Sequence, residues 1–207
     1  MAYKRSALME ERLASNRERI ILATRKLIAS GGFREASIAA VAARAGISTG
    51  LIYRHFPSKA DLFVEVLTAA VDREITILKG IVAKDGSAHD QLGAAIESFV
   101  RRALAGPTLA YAFIAEPIDI EVDAERIRGR HRFGNIFRGI LADGIAREEF
   151  PEQDIDAGAA CIVGAFTEAL VGPTSPTLRE ARDDARIVEA IRSFCLRAVG
   201  SRNTPSI

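Results

Sequence analysis

Five side chains able to donate a hydrogen bond to an anion fall within eleven residues: Thr49, Tyr53, Arg54, His55 and Lys59. Two hydroxyls, a guanidinium, an imidazole and an ammonium so close together suit a polyanion held at many points. Nothing comparable points to bond-breaking chemistry. The three histidines, His55, His89 and His131, are widely spaced. No His/Cys/carboxylate cluster suits a metal, and there is no Ser/His/Asp constellation or Gly-rich phosphate loop. The sequence therefore implies no enzyme, no metal and no cofactor, with an all-α enzyme and a protein-binding helical adaptor as the competing readings.

Charge distribution agrees. The 207 residues carry a net +1, but residues 1–60 hold 11 Lys and Arg against 4 Asp and Glu, an excess of +7. Residues 61–207 hold 17 against 23, a balance of −6. A basic first third on an acidic remainder suits a polyanion-binding head on an ordinary body. Met1–Arg19 is polar and charged, without the apolar run of a signal peptide. The most apolar long stretch, Ala157–Gly172, is shorter than a bilayer span of ~20 residues and contains Glu168, so it reads as a buried helix. Cys161 and Cys195 read as reduced core residues of a cytoplasmic protein with no membrane association.

The elements that must position the polar set are helices, because periodic segments have helical spacing and sustained alternation is missing. Ile20, Ile21, Thr24, Leu27 and Ile28 make one stripe, closed by Gly31-Gly32. Ser37 can cap a second helix over Ile38–Ala45, and a third runs from about Ser48 to His55 before Pro57. Ser58-Lys59-Ala60-Asp61 is a capping-box start for a long fourth helix. Further helices are expected at about 88–105, 108–116, 121–149, 153–172 and 177–199. The second and third, joined at Gly46, make a helix-turn-helix whose second helix would enter a major groove. Val41, Ala45, Ile47 and Ile52 lock the pair together.

The stretch "SIAAVAARAGISTGLIYRHFPSKADLF", residues 37–63, resembles the DNA-binding domain of the tetracycline-repressor (TetR) family of bacterial transcriptional regulators. The likeness rests on the turn glycine, the short recognition helix, and Tyr-x-His-Phe followed by a lysine at the next helix start. It implies an all-α chain with four parts: a flexible basic arm over 1–15, a three-helix DNA-binding domain over 16–60, a six-helix ligand-binding and dimerisation bundle over 61–200, and a frayed tail over 201–207. It also implies DNA-contacting roles for Ser37, Ser48, Thr49, Gly50, Tyr53, Arg54, His55 and Lys59. Ser37, Tyr53, His55 and Lys59 would hold phosphates, while Thr49 and Gly50 would face bases. Arg54 could reach either. Gly50 has no side chain to read a base, so specificity would lean on Thr49, Arg54 and DNA shape.

For the body, the resemblance implies a homodimer, a small-molecule effector and a double-stranded operator. The interface candidates are Gly158, Cys161, Gly164 and Ala165 on one helix, with Ile187, Ile191 and Phe194 on the last. An intramolecular core accounts for their composition equally well. Candidates for a pocket wall are Phe99, Tyr111, Phe113, Ile114, Phe133, Phe137 and Phe166. Positions 127, 131, 134, 138, 141 and 145 lie on one helical line, where His131, Gly134 and Arg138 make a polar notch that could hold a ligand carboxylate or carbonyl. The same line also reads as the wet edge of the helix. The expected outcome is a repressor released by its effector, with an activator or ligand-insensitive regulator as the alternative.

Overall fold

The computed structural model describes residues 2–178 and 182–200, with side chains from residue 13 onward. Among the described residues there are nine α-helices and no strand. They are α1 (Ala2–Gly31), α2 (Ile38–Ala45), α3 (Thr49–His55), α4 (Lys59–Val82), α5 (Ala88–Ala105), α6 (Pro107–Ile114), α7 (Ile120–Ala146), α8 (Ile155–Thr174) and α9 (Asp184–Ala198). A single 3-10 turn, Phe33–Glu35, follows α1.

Short polar side chains fix where many of these helices begin, by accepting hydrogen bonds from first-turn amides that lack a partner within the helix. Ser37 accepts from the Ala40 amide, Ser48 from Leu51 and Ser87 from Asp90. At α4 the capping box is complete: Ser58 Oγ accepts from the Asp61 amide, and the Asp61 carboxylate accepts from the Ser58 amide. Asp154 and Asp183 do the same for α8 and α9.

Two apolar cores result. The first packs α1, α2 and α3 around Ile20, Ile28, Phe33, Val41 and Ile52, and includes Leu62, Phe63, Val66 and Leu67 of α4. Ala112 of α6 and Val122 of α7 also belong to it, so the head is closed from below by the body. The second core takes over at Leu78 and gathers α5, α7, α8 and α9 around Ile96, Phe137, Ile140, Phe166 and Leu170. Phe99, Phe133, Phe137 and Phe166 form an aromatic cluster with ring centroids 5.0–5.9 Å apart. Helix α4 thus runs through both cores, and it meets α7 where a Cβ on Gly129 would come within 2.9 Å of Val71 Cγ2.

Several sequence expectations need correction. Helix α1 starts at Ala2, so residues 2–15 are helical where an arm was expected. The last helix begins at Asp184 rather than 177, because its cap is Asp183. Helix α8 reaches Thr174 with Pro173 inside it, at the cost of the amide hydrogen bond that a proline cannot donate. At 20 residues it is long and apolar enough to cross a membrane, but Ile162, Val163, Phe166 and Leu170 are spent on the subunit core. Cys195 is buried as expected, whereas Cys161 is exposed on α8. The tail over 201–207 lies outside the described residues.

Candidate nucleic-acid interface and interior cavity

The head is built around one turn. Gly46 ends α2 in the left-handed region (φ 64°), where a side chain would be strained, and the Ile47 amide returns to the Ala42 carbonyl at 3.1 Å. Arg19 of α1 donates to the Ala45 carbonyl at 2.5 Å, tying the first helix to the same turn. Ile52, fully buried, pins α3 from beneath.

With Ile52 inward, the rest of α3 faces out. Ser37, Ser48, Thr49, Gly50, Arg54 and Lys59 are exposed, and Tyr53 is 51% exposed despite its size. His55 is half-buried, and its Nε2 is shielded without a hydrogen-bond partner. Two cations are held by rings at the edge of this surface. Lys59 Nζ stands 5.0 Å over the Phe63 ring, and the Arg17 guanidinium stands 5.3 Å over Phe56 while pairing with Glu65 at 2.9 Å. A Cβ built on Gly50 meets nothing within 4 Å, so packing does not demand a glycine there. Gly50, Tyr53 and Arg54 therefore lie on the side of α3 away from Ile52, with Thr49 exposed at its first turn and Phe56 beneath as core.

A second feature lies in the body. A cavity of about 410 Å³ opens between α1, α4, α5, α6, α7 and α8. That size falls within the ~300–1,000 Å³ of small-molecule sites. Its wall is mainly apolar, including Val71, Phe99, Leu109, Phe113, Phe133 and Val163. Of the sequence candidates, Phe99, Phe113, Ile114 and Phe133 line it. The others do not. Phe137 and Phe166 are fully buried, Phe166 directly behind Phe99 and Phe133. Tyr111 is only half-buried and stays off the wall. The notch is out of phase: His131 is exposed, Arg138 pairs with Asp156 at 2.5 Å, and Ile127 on the same line is 62% exposed. One residue of shift on a helix is about 100°, and the inward line of α7 is Arg126, Gly129, Arg130 and Phe133.

The polar side chains of the cavity were missing from the sequence reading. They include Arg25, Arg73, Arg102, Arg126 and Arg130 with one carboxylate, Glu74. Arg102 binds Glu74 through two nitrogens, at 2.6 Å and 3.1 Å to the same oxygen. Arg126 is the most enclosed, with its side chain 11% exposed. It pairs with Asp123 at 2.8 Å and donates to the carbonyls of Phe113 and Glu116 at 3.0 and 2.8 Å. Burial lowers its pKa from the usual guanidinium value, with Asp123 opposing that shift. These bonds brace the C-terminal end of α6, whose last carbonyls lack intrahelical partners. Beyond that end, the Glu116 carboxylate accepts from the Phe33 amide at 3.0 Å, in the turn that closes α1. Arg126, the end of α6, Glu116 and Phe33 thus make a bonded connection from cavity wall to head. No local signal reveals it, because its partners lie 10 to 83 residues apart.

On the outer side of α8 and α9, Cys161 and Gly164 are exposed and Phe194 is 56% exposed. Two interface candidates turn inward instead. A Cβ on Gly158 would meet Leu141 at 3.1 Å, and Ile191 is buried in its own subunit's core. Ala165 and Ile187 are half-buried against that same core.

Residues 20–66 match the sequence profile of bacterial regulatory proteins of the tetR family. The HTH-type transcriptional repressor KstR of Rhodococcus jostii is 40% identical over 73 residues, which are 33% of this chain and 34% of that protein. The chain thus matches about a third of the length of that curated relative. Among solved structures, the transcriptional regulator FadR from Bacillus subtilis in complex with stearoyl-CoA superposes with a TM-score of 0.76 at 20% identity, over 88% of this chain and 98% of that one. A TetR-family regulator from Agrobacterium tumefaciens gives 0.72 at 21% identity, over 89% and 98%. At such identities the structural likeness carries the fold.

Proposed function

We propose that this chain, whose residues 20–66 match the TetR family of bacterial regulatory proteins, is a cytoplasmic homodimeric repressor of that family, released from a palindromic operator by a small molecule. The observation that carries the DNA-binding half is the outward polar face of α3. Thr49, Tyr53 and Arg54 stand exposed on a helix pinned by Ile52 and flanked by two ring-held cations. In this reading α3 enters the major groove, Thr49 and Arg54 meet base edges, and Ser37, Ser48, Tyr53, His55 and Lys59 bind phosphates.

One such head makes few base contacts, which favours a pair related by a two-fold axis. The exposed Cys161 and Gly164 of α8 and Phe194 of α9 are the residues we assign to the contact with a second copy. The two recognition helices would then sit ~34–36 Å apart, in successive major grooves. The effector half rests on the cavity, whose wall includes α6 and Arg126. That wall also includes Arg25 of α1, so a ligand in the cavity meets the head as well as the body. A ligand shifts the balance only by its difference in affinity for the two head orientations. FadR of Bacillus subtilis, which shares the fold, was crystallised with stearoyl-CoA. An acyl chain ending in an anion is accordingly the effector class assigned to this cavity.

Selection of bound sequences from random duplex DNA by the purified chain tests the core of this reading. A palindromic enriched site is expected, with binding that weakens steeply as salt rises. Failure to enrich any sequence, or a site without two-fold symmetry, would refute it.

A further inference from the structure

One wall residue of the cavity does not belong to the body. Arg25 comes from α1, three residues before Ile28 of the head core, yet it lines the cavity alongside residues of α4 to α8. It is half-exposed, and among the described residues no carboxylate lies within 4 Å of its guanidinium. Arg73 of α4 and Arg130 of α7 are exposed, line the same cavity and likewise have no carboxylate in range. Arg130 donates only to the Ile114 carbonyl. The two more enclosed arginines are already neutralised, Arg102 by Glu74 and Arg126 by Asp123. Three guanidiniums without a carboxylate partner, each at least partly exposed, therefore line one apolar chamber.

We propose that Arg25 carries the regulatory signal: a phosphate-bearing headgroup bridges Arg25 of the head to Arg73 and Arg130 of the body, while the acyl tail fills the chamber. This rests on the cavity being the effector site. A single carboxylate would leave most of that charge unmatched, whereas phosphate oxygens suit several planar guanidinium forks at once. The tail touches body helices in either orientation of the head, so it contributes affinity to both states about equally. The headgroup reaches Arg25 only in the orientation where head and body approach as they do here. Differential affinity, and hence release, then comes from the headgroup, and binding and signalling reside in different parts of one ligand.

The test uses the full chain, its selected operator duplex, and a series of acyl-CoAs from decanoyl to stearoyl, with the matching free fatty acids and methyl esters. Binding is read by calorimetry and operator release by fluorescence anisotropy at fixed salt. An acyl-CoA should weaken operator binding about tenfold or more, within the range of ordinary allosteric coupling. The matching methyl ester should bind with under about threefold release. In Arg25→Gln, acyl-CoA should still bind, within about tenfold of the parent, while release falls below about threefold. Arg25→Lys should recover part of it. Full release of Arg25→Gln would overturn the inference and leave the effector site standing. So would a fatty acid as effective as its acyl-CoA, or an Arg25→Gln operator affinity already more than about threefold weaker without effector. If the parent chain binds no acyl-CoA at all, the cavity reading itself fails, and this inference with it.

Discussion

Replacing Glu116 with alanine removes the carboxylate that accepts from the Phe33 amide, a bond of 3.0 Å. Phe33 is 4% exposed, so water has little access to the amide once the carboxylate is gone. A hydrogen bond to a charged acceptor contributes ~1.5–3 kcal/mol, and an orphaned buried donor keeps its desolvation cost. We therefore expect Glu116→Ala to lose about 2 kcal/mol of stability, mainly in how firmly the head is fixed to α6. With a urea slope of ~2 kcal/mol/M, the unfolding midpoint should fall by about 1 M at matched protein concentration. Glu116→Gln keeps a carbonyl acceptor and should fall by about half as much. The same variants should report on coupling, since Arg126 holds the Glu116 carbonyl at 2.8 Å from inside the cavity wall. An Ala midpoint within about 0.2 M of the parent would refute the connection as a structural tie.

Other consequences can be measured independently. Gly46→Ala places a Cβ at φ 64°, and a loss of ~1–2 kcal/mol is expected by urea unfolding. Lys59→Ala should weaken operator binding about equally across sequences and reduce the salt slope by ~1, and an unchanged affinity would remove Lys59 from the phosphate set. Burial raises the Cys195 thiol to about 11. The folded chain therefore keeps this proton above ~8.5, where an unfolded chain has released it. Its contribution to stability should be complete below ~8.5 and decline as pH rises toward 11, with Cys195→Ser abolishing that slope. Exposed Cys161 should react with a thiol reagent at pH 8 while Cys195 stays silent, and dimerisation should slow Cys161 as protein concentration rises.

How much of this was legible in the sequence depends on the range of the forces involved. Helix α2 begins after Ser37 and ends at Ala45 as the sequence implies, because a serine cap and a left-handed glycine are local chemistry. The start of α4 is equally plain from its capping box. The phase of α7 was not. Ile127 and Leu141 make a plausible apolar line, but Ile127 is 62% exposed and Leu141 fully buried, so the line wanders across the helix surface. The line of α7 that faces the cavity contains one glycine, Gly129, and two arginines, Arg126 and Arg130, which a search for apolar stripes passes over. The cavity's charged residues are further hidden because a guanidinium on α1 gains its meaning from helices 45 to 140 residues later. Gly158 illustrates the converse: its small size suggested contact with a second subunit, yet it accommodates Leu141 of its own.

The vacant space over Gly50 has an evolutionary consequence. A Cβ installed there would disturb no neighbour, since no atom lies within 4 Å of it. Alanine in place of this first-turn glycine would also restrict the unfolded backbone and so favour the helix. Under the proposed reading of α3 and of the cavity, a one-codon change at this position would alter the DNA-facing surface while the residues that line the cavity stay as they are.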